Sequence, residues 1–303
     1  MKKVSLLIIC LLLFLTLVSC SYFNDDDINE GTNDNVEYTD TVDVIVIAGQ
    51  SNMEGHSHNN MLLQKTSGDI QEFYRNGFPN TKIMYHCNRG TNRNYSFESV
   101  KIGQGYGGSQ FGPEVGIAEE LYLRGREEPV YIIKYAVGGT SLYGDWNVKI
   151  KTSLYHKMIY YTTNILKEFE EKELKPIIRG FFWMQGESDA CNTTFKNIYY
   201  KNLENLVTSF RNEFESYYGI PNKGIAFVDA GISDCKAWLF YKEINQIKQQ
   251  FADSDPEKNY YFDTMEAGLE YDKDNDDFYH FDATSEIKLG RLFISTLIDN
   301  GWL

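Results

Sequence analysis

Apolar and polar positions along this chain follow two alternating rhythms. Short, nearly continuous apolar runs rich in β-branched and aromatic residues recur at 44–48, 82–86, 130–136, 177–184 and 225–229, with a weaker sixth at 260–263. Runs of that length predict strands buried on both faces. Between them, apolar residues return at three- and four-residue spacing over 114–124, 153–173, 195–218, 236–251 and 284–298, which predicts amphipathic helices. Strands alternating with helices predict an α/β domain, a three-layer α/β/α sandwich around a mainly parallel sheet. In such a sheet the loops leaving the carboxyl ends of the strands gather on one rim, where ligands bind.

The first residues break this rhythm. Lys2-Lys3 precedes an apolar run from Val4 to Val18 and then Ser19-Cys20, the pattern of a lipoprotein-type secretory signal over 1–19, cleaved before a cysteine that takes lipid. Residues 20–38, which include Asp25-Asp26-Asp27, read as an acylated acidic stalk. Residues 39–303 then form one domain, with no linker or internal repeat. The expectation is an enzyme of the cell envelope, anchored to a bacterial membrane through Cys20. The acidic run after the cysteine resembles the surface-export signal of some Gram-negative lipoproteins.

Charge and cysteines narrow the partners. The formal charge is -14, and losing Lys2 and Lys3 with the signal makes it -14 - 2 = -16. That disfavours nucleic acid and other polyanions and favours a neutral or weakly charged substrate. Cys87, Cys191 and Cys235 permit one disulfide in an oxidising compartment, with Cys191 to Cys235 the expected pair because each lies in a loop after a predicted strand. Three free thiols are the alternative. His56 and His58 lack a third ligand at a set spacing, and Asp272, Asp274 and Asp276 lack the Gly and Glu a calcium loop needs, so no metal is expected.

The stretch from Val42 to Gly55 carries the chemistry. Its apolar run stops at Gly49 and delivers Ser51 into a polar turn, as α/β hydrolytic enzymes present a nucleophile. A serine needs a base steered by a carboxylate. Asp277-Phe278-Tyr279-His280 offers both on one turn, where residues three apart lie side by side.

Gly49-Gln50-Ser51-Asn52-Met53, Phe111-Gly112-Pro113-Glu114, Gly138-Gly139-Thr140-Ser141-Leu142, Trp183-Met184-Gln185-Gly186-Glu187 and Asp277-Phe278-Tyr279-His280 occur in this order. Over about 42–298 the chain thereby resembles the sialate O-acetylesterase-like branch of the SGNH (GDSL-type) hydrolases, also known as carbohydrate esterase family 6. The resemblance implies a serine esterase without a cofactor that removes acetyl groups from acetylated oligosaccharides or polysaccharides, such as acetylxylan or O-acetylated sialic acid. It implies Ser51 as nucleophile, His280 as base, Asp277 as orienting carboxylate, and an oxyanion hole from Ser51 N–H, the Gln185 amide and a glycine of the second motif region, either the motif-matched Gly112 or a neighbour such as Gly108. Glu187 either replaces Asp277 or braces the loops. Tyr143 and Trp146, in the loop after Gly138-Gly139, are the expected sugar-stacking residues. Two other readings stay open: an acylhydrolase for other esters, and an inactive glycan-binding surface lipoprotein.

Overall fold

The structure, a computed structural model, describes residues 38–303. The expected signal, Cys20 and nearly all of the expected stalk lie outside the described residues. Strand β1 (Asp40–Gly49) leads into the one-turn helix α1 (Ser51–Glu54). Then follow β2 (Thr81–Cys87), α2 (Glu114–Leu123), β3 (Val130–Ala136), α3 (Leu154–Glu170), β4 (Leu174–Met184) and α4 (Tyr199–Tyr218). The chain closes with β5 (Ala226–Ala230), α5 (Tyr241–Asp253), β6 (Asn259–Phe262), the hairpin β7 (Tyr271–Asp272) and β8 (Asp277–Phe281), and α6 (Ala283–Asp299).

Six strands pair in parallel in the order β6-β5-β4-β1-β3-β2, and the short antiparallel strands Asn92–Arg93 and Glu98–Ser99 pair with β2 at the edge. The alternation of β1 divides the core. Val44, Val46 and Ala48 pack on one face with residues of α3, α4 and α5, while Ile45 and Ile47 pack on the other with residues of α2 and α6. Both faces are covered, so the expected three-layer sandwich forms and β1 lies at its centre. Helices α2 and α6 cross very closely: a Cβ on Gly116 would lie 2.0 Å from Ile287 O, and one on Gly290 the same distance from Pro113 O.

The expected elements shift in three places. The helix expected over 195–218 breaks at Ile198, separating Thr193–Asn197 from α4. The helix expected from 236 begins at Tyr241. Two helices, Asn59–Lys65 and Asp69–Asn76, occupy a region for which the pattern predicted none.

Candidate active site

The sheet topology makes the site. From β1 the chain moves to β3 through β2 on one side and then crosses to β4 on the other. Loops leaving β3 and β4 therefore diverge above the end of β1 and leave a crevice there. Gly49 allows the close approach: a Cβ at that position would lie 2.0 Å from Met184 O. Gln50 N donates to the same carbonyl at 2.9 Å, and the chain turns at once into α1. Ser51 opens that helix and faces a cavity of about 500 Å³, lined also by His280, Gly138, Gly139, Glu187 and Tyr279.

His280 arrives on β8. This segment is a strand paired with β7, not the isolated turn expected, and alternate strand residues would point Asp277 away from His280. A local bend restores the contact. Asp277 Oδ1 accepts the N–H groups of Tyr279 at 2.9 Å and His280 at 3.2 Å, and Oδ2 lies 2.6 Å from His280 Nδ1. Burial alone would raise the Asp277 pKa, but the hydrogen bond from His280 and the backbone donors outweigh it and hold the carboxyl below its ordinary range. His280 is also held below the ordinary histidine range, first by burial and next by His56, against the opposing pull of Asp277.

Asn52 fastens β8 to the nucleophile turn. Its Oδ1 accepts Phe281 N at 3.2 Å, and its Nδ2 donates to Tyr279 O at 3.4 Å, bracketing His280 on both sides. The same Nδ2 donates to Glu187 Oε1 at 3.1 Å. Glu187 therefore reaches β8 through Asn52 and has no hydrogen bond to His280. Burial raises its pKa, and its Oε2 has no hydrogen-bond partner among the described residues. Ser51 Oγ also makes no hydrogen bond among the described residues, a loose arrangement common before substrate binds.

The other wall centres on Glu54, which the sequence reading passed over. This wholly buried carboxylate accepts Asn88 N at 2.5 Å and Gly138 N at 2.9 Å, and lies 3.2 Å from His56 Nε2. Asn88 and Arg89 both adopt left-handed backbone, φ 49° and 52°, a conformation that costs about 1–3 kcal/mol for each non-glycine residue. The strained turn places Arg89 on the cavity. Arg89 is exposed, pairs with no carboxylate among the described residues, and is the only Lys or Arg lining this cavity.

Four expected residues fall elsewhere. Gly112 is not on the cavity: its N–H donates to Glu114 Oε1 at 2.9 Å, and Glu114 Oε2 accepts Lys134 Nζ at 2.6 Å, both side chains wholly buried. The Phe-Gly-Pro-Glu motif thus holds a buried ion pair beneath the sheet rim. Gln185 is turned inward, its Nε2 donating to Asp189 Oδ2 at 2.6 Å and Thr140 O at 3.0 Å, so both amide hydrogens are spent on bracing the loops. Trp146 is fully buried, with its indole N–H on Thr140 Oγ1 at 2.9 Å, and offers no face to a sugar. Tyr143 is partly exposed but lies outside the cavity lining, stacked on Phe195 at 4.0 Å.

The aromatic side chains that do line the cavity are Tyr106, Trp238 and Tyr279. Among the backbone N–H groups on the cavity, those of Ser51 and Gly139 are two for which the described residues supply no acceptor. The expected disulfide is not formed. Cys191 and Cys235 are free thiols, with Cys191 Sγ against Glu187 O and Ala237 O, and Cys87 is buried apart from them.

A family model described as "Carbohydrate esterase, sialic acid-specific acetylesterase" matches residues 41–299. Among solved structures, the chain is similar to NanS, with a TM-score of 0.64 and 13% identity over 87% of this chain and 97% of that one. It is similar also to a protein from Arabidopsis thaliana, with a TM-score of 0.61 and 17% identity over 86% of this chain and 99% of that one. A carbohydrate acetylesterase from Xanthomonas citri matches with a TM-score of 0.56 and 16% identity, over 83% of this chain and 55% of its own. At such identities these likenesses speak to the fold. No curated protein sequence matches the chain.

Proposed function

The chain belongs to the carbohydrate esterase family of sialic acid-specific acetylesterases, and from that premise we propose that it cleaves O-acetyl esters of sugars through Ser51, His280 and Asp277. It is a carboxylic-ester hydrolase acting on acetylated carbohydrate. The observation that carries the residue assignment is the His280–Asp277 contact of 2.6 Å on a strand that Asn52 ties to the Ser51 turn.

Ser51 Oγ attacks the acetyl carbonyl carbon while His280 Nε2 removes its proton. Asp277 keeps the other proton on Nδ1, so that Nε2 presents its lone pair to the serine. The tetrahedral oxyanion falls to the N–H groups of Ser51 and Gly139, in place of the Gly112 and Gln185 donors the sequence suggested. Collapse expels the sugar oxygen, which takes the proton from His280. Water then attacks the acetyl-serine with His280 again as base, releasing acetate and restoring Ser51.

Arg89 supports a finer reading of the substrate. Although the protein is acidic as a whole, the cavity presents a single unpaired cation beside two buried carboxylates, Glu54, held by the N–H groups of Asn88 and Gly138, and Glu187, held by the Asn52 amide. A guanidinium in that position suits a carboxylate on the acetylated sugar. O-acetylated sialic acid therefore fits better than the neutral acetylxylan. Arg89→Gln should lower kcat/KM for acetylated sialic acid about 10- to 100-fold, the range of a charge-assisted hydrogen bond, and leave acetylated xylo-oligosaccharides within a few-fold. Equal losses on both substrates would remove Arg89 from carboxylate recognition.

The anchoring suggested by Cys20 belongs to the same reading. Cys20→Ala should shift the protein from the membrane fraction to the soluble fraction with kcat unchanged, because the site lies wholly within the described domain. A variant that still sediments with salt-washed membranes would contradict lipid attachment at that cysteine.

A further inference from the structure

The mechanism leaves unused a second histidine–carboxylate pair on the cavity wall. The His56 ring lies flat against the His280 ring, with centroids 4.2 Å apart and planes 12° from parallel. His56 Nε2 is 3.2 Å from Glu54 Oε2, and Glu54 is fixed by the N–H groups of Asn88 and Gly138. The two imidazoles therefore form one stack with a carboxylate at each end, Glu54 beside His56 and Asp277 beside His280.

Two imidazolium rings at this separation repel each other strongly, so the stack accepts one proton far more readily than two. Whichever ring takes it, the other stays neutral. The two carboxylates are not equivalent. Glu54 is wholly buried, whereas the Asp277 side chain is 30% exposed and its field is screened by water.

We propose that His56, backed by Glu54, is a positioning residue for the proton: it takes the first proton that the stack binds and so keeps His280 free as the base in mildly acidic solution. The inference rests on His280 being that base. In its favour, His280 is held below the ordinary histidine range by burial first and by His56 second, while Asp277 and Glu54 pull the other way.

The other groups around the stack cannot take this part. Tyr106 packs against His56 at 4.6 Å and does not touch His280. Arg89 and Cys191 line the cavity, Arg89 with a permanent charge and Cys191 with a thiol whose pKa burial raises. Glu187 reaches β8 only through Asn52. Asp272, on the strand paired with β8, accepts from Asn275, and Asp282 beyond β8 pairs with Lys65 at 3.1 Å. Asp276 lies in the hairpin turn before Asp277. His56 is the ionisable side chain stacked on the His280 ring.

The test reads proton order and activity separately. In wild-type protein, an NMR titration of the imidazole resonances, assigned with His56→Phe and His280→Asn, should show His56 taking its proton at higher pH than His280. The acid limb of kcat/KM for acetate release should fall below about pH 6.5, the ordinary histidine value. His56→Phe keeps a stacked ring and His56→Asn keeps a donor for Glu54, and neither carries the charge. In both, the acid limb should move up by about one pH unit, the size of shift that a neighbouring like charge produces.

A purely structural His56 would lower kcat in one or both variants and leave the limb where it stands, which overturns the proposal. So does a wild-type titration in which His280 takes the first proton, a result that needs no variant to fold. If the proton order is as proposed but the acid limb does not follow the His280 resonance, the assignment of His280 as base fails while the stack does what is proposed for it.

Discussion

Ser51→Ala should lower acetate release by about 10⁴-fold or more, the scale set by removing a lone nucleophile from a site whose other groups stay in place. The same substitution should leave the fold intact. Ser51 Oγ makes no hydrogen bond among the described residues and the side chain is one of the smallest at the site, so little packing is lost. Thermal unfolding of the variant should match wild type within a few degrees, and its kcat measured on an acetylated sugar should fall to near background. A folded Ser51→Ala protein with wild-type kcat would exclude Ser51 as nucleophile.

The next largest effect belongs to the orienting carboxylate. Asp277→Asn replaces an acceptor 2.6 Å from His280 Nδ1 by an amide that can donate to that nitrogen. The preferred tautomer then carries its proton on Nε2, toward the serine, and kcat should fall by up to about 10⁴-fold, the size seen for the same substitution in serine proteases. Glu187→Gln is the control, because a Gln carbonyl can still accept from Asn52 Nδ2 where Glu187 Oε1 does so at 3.1 Å. Its kcat should stay within about 10-fold of wild type. If Glu187→Gln proves the more damaging change in folded protein, the carboxylate that serves His280 is Glu187 and the strand geometry around Asp277 has been misjudged.

Much of this site is legible in the sequence because it depends on where strands end. The β-branched run of β1, cut off at Gly49, locates both the centre of the sheet and Ser51. Asp277 and His280 are recognisable by type and by motif, although the reason they meet is not. Spacing of three suggests a turn, whereas β8 is a strand whose bend is made by the Asp277 carboxylate on the N–H groups of Tyr279 and His280.

Chain order does not say which groups a motif's backbone and side chains will meet. Phe-Gly-Pro-Glu comes second among the motifs and does pack beside the nucleophile turn, Phe111 pairing with Ser57, but the Gly112 N–H is spent on Glu114, whereas Gly138-Gly139 leaves β3, the neighbour of β1, and lines the cavity. Side-chain direction at a strand end is equally invisible. Gln185 follows β4 as expected but turns inward to Asp189 and Thr140, and the loop carrying Trp146 folds beneath the rim and buries its indole. His56 showed in the sequence only as half of a histidine pair without a third metal ligand, since the ring it stacks on, His280, arrives more than two hundred residues later in the chain.

The most direct measurement of the central claim is covalent labelling of the active serine. Incubation of the wild-type protein with a serine-directed organophosphonate, followed by peptide mass mapping, should place one adduct on Ser51 and abolish acetate release from an acetylated sugar in proportion to labelling. Asp277→Asn should label far more slowly, because the same base activates the serine in both reactions. Full labelling of Ser51 with acetate release undiminished, or an inactivating adduct on any other residue, would contradict the assignment of this site.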